Sequence, residues 1–491
     1  MSRLDEEHAY RLKKRQAIQQ SGKQPYPSHV TPTHSIETVL KNFGDFADQQ
    51  TNISVVGRLK TIRMHGGSCF IHIDDGSGGI QSYIKRDAVG DATYMDFKNY
   101  YDIGDFLQVS GTLFSTKKGE KTILAQKIAM GAKSLLPLPE KWHGLQDVEI
   151  RYRKRYLDLI ANKEVRILFE KRSRIINVIR ALLRDNGFIE VETPILQPLP
   201  GGANARPFKT HHHALDLDLY LRIAPELYLK RLIIGGFTKV FEVARCFRNE
   251  GIDRDHNPEF TQVEFYAAYW DYRQMMDFTE KIIAAVANDV LNASELQLKG
   301  SAINLALPFK RLSFRDAIQQ NASIDIDTAD DEALLTVLTG HKISVSKPVT
   351  RPRLLDELFK GFVRPRCIEP TFVTDYPIEL SPLAKKIYDN PRYVERFQLL
   401  IGGIELCNAF SELNDPIDQE ERFAAQEKMR AAGDEEAQRI DRDFIEALSY
   451  GMPPTAGIGI GIDRLVTLFT NSANLKEVIL FPTLKPKKND D

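Results

Sequence analysis

Five short runs of β-type pattern follow one another between residues 52 and 135: ISVVGRLKTIR, CFIHIDD, GIQSYI, FLQVSGTLF and TILAQKIAM. Turn signals such as HGG, DDGSGG and TKKGE separate them. Five such strands fit a small closed barrel, and the OB-fold is the commonest five-stranded kind, with some other barrel of merely structural role as the alternative. Upstream, residues 1–50 read as a charged helical extension ending in a Pro-containing connector, QPYPSHVTPT. Downstream, LLPLPEKWHG and a basic stretch, RYRKRYLDLI, make residues 136–162 a linker.

At Lys163 the period changes. Val165, Leu168, Phe169, Ile175, Ile176, Ile179, Leu182 and Leu183 recur at helical spacing, and Gly187 stands where a C-terminal cap belongs. FIEVETPIL then reads as a strand stopped by Pro194. Strands and helices alternate from there to about residue 487, with tight glycine pairs at Gly201–Gly202, Gly235–Gly236 and Gly402–Gly403. The motif-poor stretch near 293–364 is expected to be an inserted helical region, and the tail KPKKNDD a solvated terminus. The expectation is an α+β protein: a barrel, a linker, and a large mixed domain over 163–487.

Composition narrows the function class. With 491 residues, 42% hydrophobic and 27% charged, the chain is no disordered segment, disulfide scaffold or fibre. Lys plus Arg total 66 against 67 Asp plus Glu, so any nucleic-acid contact must be a local basic surface rather than a general excess. No apolar run is long enough to span a bilayer. The start, MSRLDEEHAYRLKKR, has no apolar core of a secretory signal. Cys69, Cys246, Cys367 and Cys407 lie far apart with no CxxC pair, which points to a reducing, cytoplasmic setting.

Several chemistries fall away. There is no GxxxxGK[ST], and GIGIGIDR lacks the spacing of a dinucleotide loop. Consecutive His211, His212 and His213 point different ways on a strand or turn, so they read as ordinary histidines rather than a metal clip. Three polar segments remain. FRNEGIDRDHNPEFTQVEFY closes one strand with Arg248, Asn249 and Glu250, and sets Glu264 and Tyr266 on one face of the next. GGIELCNAFSELND carries Glu405, Asn408 and Glu412, and GIGIGIDRL delivers Arg464 where a strand gives way to a helix. One acid–arginine pair is more often a structural salt bridge. Three such segments are harder to explain by stability, because buried unpaired charge is expensive. Arginines grip phosphate oxygens bidentately, and a carboxylate can hold the Mg²⁺ that neutralises them. No nucleophile–base pair stands out, which fits phosphoryl or adenylyl transfer driven by positioning and electrostatics.

These segments resemble the class II lysyl-tRNA synthetases over roughly residues 5–487. GFIEVETPIL, FRNEGIDRDHNPEF and GIGIGIDRL are similar to the three motifs of class II, and PGGANARPF, RIAPELYLKR and SELNDP to further segments of the family. The leading barrel narrows the match to the lysyl, aspartyl and asparaginyl subgroup, and APELYLKR with HNPEFTQVEFY and SELND points to lysine. The resemblance implies an α+β architecture, an OB-fold over 51–135 and a class II catalytic domain whose antiparallel sheet is flanked by helices. It implies ligation of L-lysine to tRNA(Lys) through lysyl-adenylate, with ATP and Mg²⁺, by a homodimer that meets no membrane.

Site roles implied by the resemblance are specific. Arg248 contacts the α-phosphate and Arg464 the far phosphate, the two being the catalytic arginines. Asn249, Glu250, His256, Asn257, Phe260, Glu405, Gly461, Ile462 and Asp463 complete the ATP site, with Glu405 also the metal ligand. Lysine is expected against Gly202, Glu226, Glu264, Tyr266, Asn408 and Glu412, since a dication needs carboxylates once desolvated. Arg63, Phe70, Gln81 and Glu120 are placed at the anticodon, read by stacking and base-edge bonding; without the family, Arg63 and Phe70 read as a surface charge and a core ring. Two departures stand out. CNAF replaces the GNGF of bacterial members, and Gln398 stands where the family pattern has a metal-holding glutamate, leaving the number and affinity of metal ions open. An aspartyl or asparaginyl enzyme is the nearest rival, and a non-catalytic tRNA-binding paralogue the rival of another class.

Overall fold

Strict alternation builds the N-terminal unit. In β2 (Ser68–Asp74), β3 (Gly79–Lys85) and β4 (Phe106–Ser115) every second side chain enters one core, joined by Ile53, Val55 and Leu59 of β1 (Ile53–His65) and Ile123 and Ala125 of β5 (Lys121–Ala132). Cys69, Ile71 and Ile73 of β2 and Ile80 and Ile84 of β3 are buried there, while Phe70, His72, Gln81 and Tyr83 point outward. The strands close in the order β1-β2-β3-β5-β4, β4 returning to β1, with β3 and β5 parallel and the other pairs antiparallel. Two features exceed the sequence reading. A helix, Asp91–Tyr100, lies between β3 and β4 and sets Tyr94 and Phe97 in the barrel core. The N-terminal extension also joins that core, through Ile36, Val39 and Phe43.

This computed structural model describes residues 2–139, 145–254, 256–298, 300–431, 433, 437 and 439–486. Parts of the connector LLPLPEKWHG and of the tail KPKKNDD therefore lie outside the described residues, as does one position of the FRNEGIDRDHNPEF segment. The chain divides into two compact units, Met1–Gln146 and Asp147–Asp491.

The larger unit is organised by one nine-stranded sheet. Its first long helix, α1 (Lys163–Asp185), leads into a strand of only two residues, β6 (Ile189–Glu190). FIEVETPIL is thus much less of a strand than its pattern suggests, because pairing with the neighbouring strand ends before Thr193–Pro194. There follow α2 (Glu226–Ile234), β7 (Lys239–Phe247), β8 (Glu259–Ala268), α3 (Tyr272–Leu291), β9 (Lys310–Ser313), β10 (Thr371–Pro377), β11 (Asn390–Ile401), β12 (Ile404–Ser411), β13 (Thr455–Gly461) and α4 (Ile462–Phe469). The order is β9-β10-β11-β12-β13-β8-β7-β6, and Lys386–Ile387 pairs with β11 off this path. The centre is antiparallel, as expected. Both edge pairs, β9 with β10 and β7 with β6, are parallel.

One face of the sheet packs α1, α3 and α4 against Val263, Phe265, Ala267, Ile458 and Ile460. The other face carries a second core, in which α2 and the Phe314–Ala322 and Arg351–Leu358 helices pack with Tyr266 and Phe410. The 293–364 stretch is helical only from Phe314. Before it come a hairpin, Glu295–Leu298 with Ser301–Asn304, and β9, which belongs to the main sheet. Leu296, Leu298 and Ile303 anchor the hairpin in the first core, a pattern too short to read as strands from sequence.

Candidate functional site

The same alternation that buries Val263 and Phe265 turns Gln262, Glu264 and Tyr266 to the opposite face of β8. Beside them, β13 sets Gly457, Gly459 and Gly461 between Ile458 and Ile460, with Glu264 opposite Gly459 and Tyr266 opposite Gly457. The isoleucines enter the core and the glycines leave a floor of bare backbone. A β-carbon at Gly457 would lie 2.2 Å from Glu412 Oε1 and 2.3 Å from a Tyr266 ring carbon, so only glycine admits both side chains. Above this floor opens a cavity of about 340 Å³.

One end of the cavity is acidic. Glu264 is buried and accepts hydrogen bonds from Gln262 Nε2 at 2.7 Å and Tyr266 Oη at 3.1 Å. Burial, with the nearby Glu226 charge adding to it, pushes its pKa up to about 8. Glu226 and Glu412 are buried as well, and burial raises both above the usual carboxylate range. Their counter-ion is a residue the sequence did not single out: Lys230, fully buried, 2.6 Å from Glu226 Oε1 and ion-paired with Glu412. Glu226 and Lys230 are four residues apart on α2, a spacing that ordinarily marks a solvated surface pair. Only the second core, which covers this helix face, shows otherwise. The pair leaves Glu264 as the carboxylate without a cation at this end.

The other end is cationic. Arg248 follows β7; its Nε is buried without a hydrogen-bond partner and its guanidinium stands 5.1 Å from the Phe260 ring centroid. Arg464, in the first turn of α4, donates from Nη1 to the Glu405 carbonyl at 3.2 Å, while its contact with the Glu405 carboxylate is 4.0 Å. Two arginines thus reach the cavity without a tight acid partner, the state expected of groups waiting for an anion. Arg396, another residue not singled out from sequence, is occupied instead: it donates to Asn408 Oδ1, Ser381 Oγ and the Leu380 carbonyl.

Of the expected residues, Gly202, Glu226, Arg248, Glu250, His256, Asn257, Phe260, Glu264, Tyr266, Glu405, Asn408, Gly461, Asp463 and Arg464 line this one cavity. Three do not. Glu412 lies beneath it, paired with Lys230. Asn249 is exposed, and its N–H is taken by the Arg206 carbonyl. Ile462 has its side chain wholly buried in the first core, where the helical turn after β13 directs it. Asp463 reaches the cavity wall but is largely structural, its two oxygens meeting Thr261 N–H at 2.9 Å and Arg172 at 2.6 Å. His211 and His212 are engaged by Asp218 and by the turn at Leu215.

For a metal, the donor set is sparse. No group of three or more His, Cys, Asp or Glu side chains able to hold an ion occurs among the described residues. Gln398 Oε1 accepts from Tyr376 Oη at 2.9 Å, and Asn408 Oδ1 from Arg396 at 2.8 Å. Glu405 offers a partly exposed carboxylate, and Glu250 a second one in the same cavity. So sparse a set suits a Mg²⁺ that arrives already bound to phosphates, not a caged ion.

On the barrel, Phe70 and Tyr83 face each other across β2 and β3 with centroids 4.5 Å apart and rings nearly parallel. Phe114 meets Tyr83 edge-on at 6.4 Å and His65 meets Phe70 at 6.2 Å. Arg63 is exposed opposite Phe70, Gln81 donates to Thr122 Oγ1, and Glu120 is exposed at the β4–β5 turn. Phe70 is therefore an outward ring, not a core one, and a partly exposed aromatic row of this kind can stack unpaired bases.

Known proteins resemble the chain in both units. The family model described as tRNA synthetases class II (D, K and N) matches residues 147–485, and that of the OB-fold nucleic acid binding domain matches 53–130. The chain is 48% identical over 488 residues to a lysine–tRNA ligase of Pelotomaculum thermopropionicum, covering 99% of this chain and 96% of that one. It is 48% identical over 483 residues to that of Moorella thermoacetica, covering 98% of each. With the Carboxydothermus hydrogenoformans enzyme it shares 49% over 485 residues, covering 99% of each.

Proposed function

The chain belongs to the class II tRNA synthetases and, among them, to the lysine–tRNA ligase family; on that premise we propose that it joins L-lysine to tRNA(Lys) in two ATP-dependent steps. The observation that carries the reading is the polarity of the cavity: the guanidiniums of Arg248 and Arg464, without a tight acid partner, at one end, and the carboxyl of Glu264, without a cation, at the other. An aspartyl or asparaginyl substrate would meet Glu264 with no charge to match it.

In the first step a lysine carboxylate oxygen bonds to the α-phosphorus of ATP while the bond to the β-phosphate oxygen breaks, releasing pyrophosphate. Arg248 holds the α-phosphate charge as it grows, Arg464 holds the far phosphate, and Phe260 stacks on the adenine. Glu264, assisted by Tyr266, pairs a substrate ammonium, and Asn408 is kept in place by Arg396. When bound, Mg²⁺ held by Glu405 and the phosphates supplies further positive charge to the leaving group. In the second step a terminal ribose hydroxyl of the tRNA attacks the acyl carbon, loses its proton, and displaces AMP. The aromatic row at Phe70 and Tyr83 takes the anticodon bases, with Arg63, Gln81 and Glu120 at their edges.

Ile167 of α1, Ile189 of β6 and Ile195, Leu196 and Leu199 soon after it are all exposed, which supports a homodimer. No helix among the described residues is long and apolar enough to cross a membrane, and the cytoplasm is the compartment we assign. Lysine-dependent exchange between ATP and pyrophosphate, followed by charging of tRNA(Lys), tests the reading. Exchange driven by aspartate or asparagine but not lysine would overturn it.

A further inference from the structure

We propose that Arg364 is a further polyphosphate-binding residue, holding the pyrophosphate portion of ATP from the side of Glu405 opposite Arg464. The proposal rests on the ligase reading for its substrate. Its geometry stands separately. Arg364 opens the short turn Arg364–Arg366 in the motif-poor stretch, outside every segment that pointed to chemistry. The β11–β12 turn fastens it in place: Gly402 and Gly403, both at positive φ, donate their N–H groups to the Ile368 and Cys367 carbonyls at 2.8 and 2.9 Å. A β-carbon at Gly403 would come 3.3 Å from the Arg364 carbonyl, so the loop lies directly against the turn that leads to Glu405.

Arg364 Nη1 is then 4.0 Å from Glu405 Oε2, and Arg464 Nη1 is 4.0 Å from Glu405 Oε1. Neither distance is a hydrogen bond. One carboxylate therefore stands between two guanidiniums and satisfies neither, leaving a local excess of one positive charge. Gln398, which borders the same space, adds no compensating charge and has its oxygen engaged by Tyr376. The other cations nearby are already occupied. Lys360 pairs with Asp356, and Arg396 donates to Asn408 and Ser381. Glu405 is the only ion-pair partner of Arg364 among the described residues. Arg364 lines a second cavity of about 350 Å³ that shares Gln398 and Glu405 with the first, so it meets the phosphate tail from the side remote from adenine. An ion-pairing donor that stands off its acid and faces a cavity is arranged for a multiply charged anion.

Pyrophosphate itself is the probe. Calorimetric titration of the full chain, without tRNA, is compared for wild type, Arg364→Gln and Arg364→Lys, with lysine titrated into each as a control of the folded site. Loss of one charge-assisted contact weakens pyrophosphate binding by roughly tenfold or more in the glutamine variant, with lysine affinity unchanged and partial recovery in the lysine variant. Pyrophosphate affinity within about twofold of wild type in a folded glutamine variant overturns the proposal. So does a matching loss of lysine affinity, which would make Arg364 a structural residue. If wild type binds pyrophosphate but shows no lysine-dependent exchange, the ligase reading fails while the same titrations still decide Arg364.

Discussion

Lysine should bind this protein about ninefold more tightly at pH 7 than at pH 6, and about fivefold more tightly again at pH 8, because Glu264 must lose a proton to receive it. In the free cavity burial holds the Glu264 pKa up to about 8. At pH 7 about nine-tenths of the molecules carry the proton, and ionising them costs about 1.4 kcal/mol; at pH 6 the cost is about 2.7 kcal/mol. The lysine side chain remains an ammonium throughout this window, so Glu264 sets the slope. Titration calorimetry at pH 6, 7 and 8 reads the affinity, and two buffers of different ionisation heat at pH 7 read close to one proton released per lysine. Glu264→Gln should remove most of the affinity together with its pH dependence. Flat affinity with no proton release would refute the reasoning. Stability has its own sign. The folded pKa is raised above the ordinary glutamate value of 4.5, so this group's contribution is fully present below about 4.5 and is lost as pH rises through about 8.

Arg248→Ala should lower lysine-dependent exchange by roughly 10²–10³-fold, the usual loss when one transition-state charge contact goes, while circular dichroism shows the fold intact. Lys230→Met leaves Glu226 and Glu412 buried without their cation, and denaturant titration should show a loss of about 3–5 kcal/mol. Gly457→Ala drives a methyl into the space of Glu412 and Tyr266; calorimetry should find lysine binding abolished and ATP binding little changed.

Legibility in the sequence followed the range over which each pattern is set. FTQVEFY and GIGIGI announce a strand through strict alternation, and the same alternation sorts Glu264 and Tyr266 from Phe265 and Ile458. The barrel strands were readable on the same ground. Helix Asp91–Tyr100 was not, because its apolar pair, Tyr94 and Phe97, is too small a helical signal amid strands. Lys230 was missed for a tertiary reason: nothing in APELYLKR distinguishes a surface pair from one enclosed by the second core. Asp463 shows the reverse, a motif residue whose carboxylate chiefly ties β8 to α1. Arg364 carries no local pattern, since only the β11–β12 turn brings it to Glu405.

The glycine floor of β13 makes the site's shape revisable in one direction only. A glycine can be altered by addition alone, so every substitution at Gly457 or Gly459 shrinks the chamber, at Gly457 by direct collision. Rotamer relaxation recovers little of the room, because Glu412 is buried against Lys230 and Tyr266 is packed in the second core. Any broadening toward bulkier relatives of lysine has to come from other lining side chains, such as Leu383 and Phe410, which have atoms to lose. The substrate range of this protein is therefore hinged on those side chains, and the glycine strand acts as the fixed datum from which side-chain length is measured.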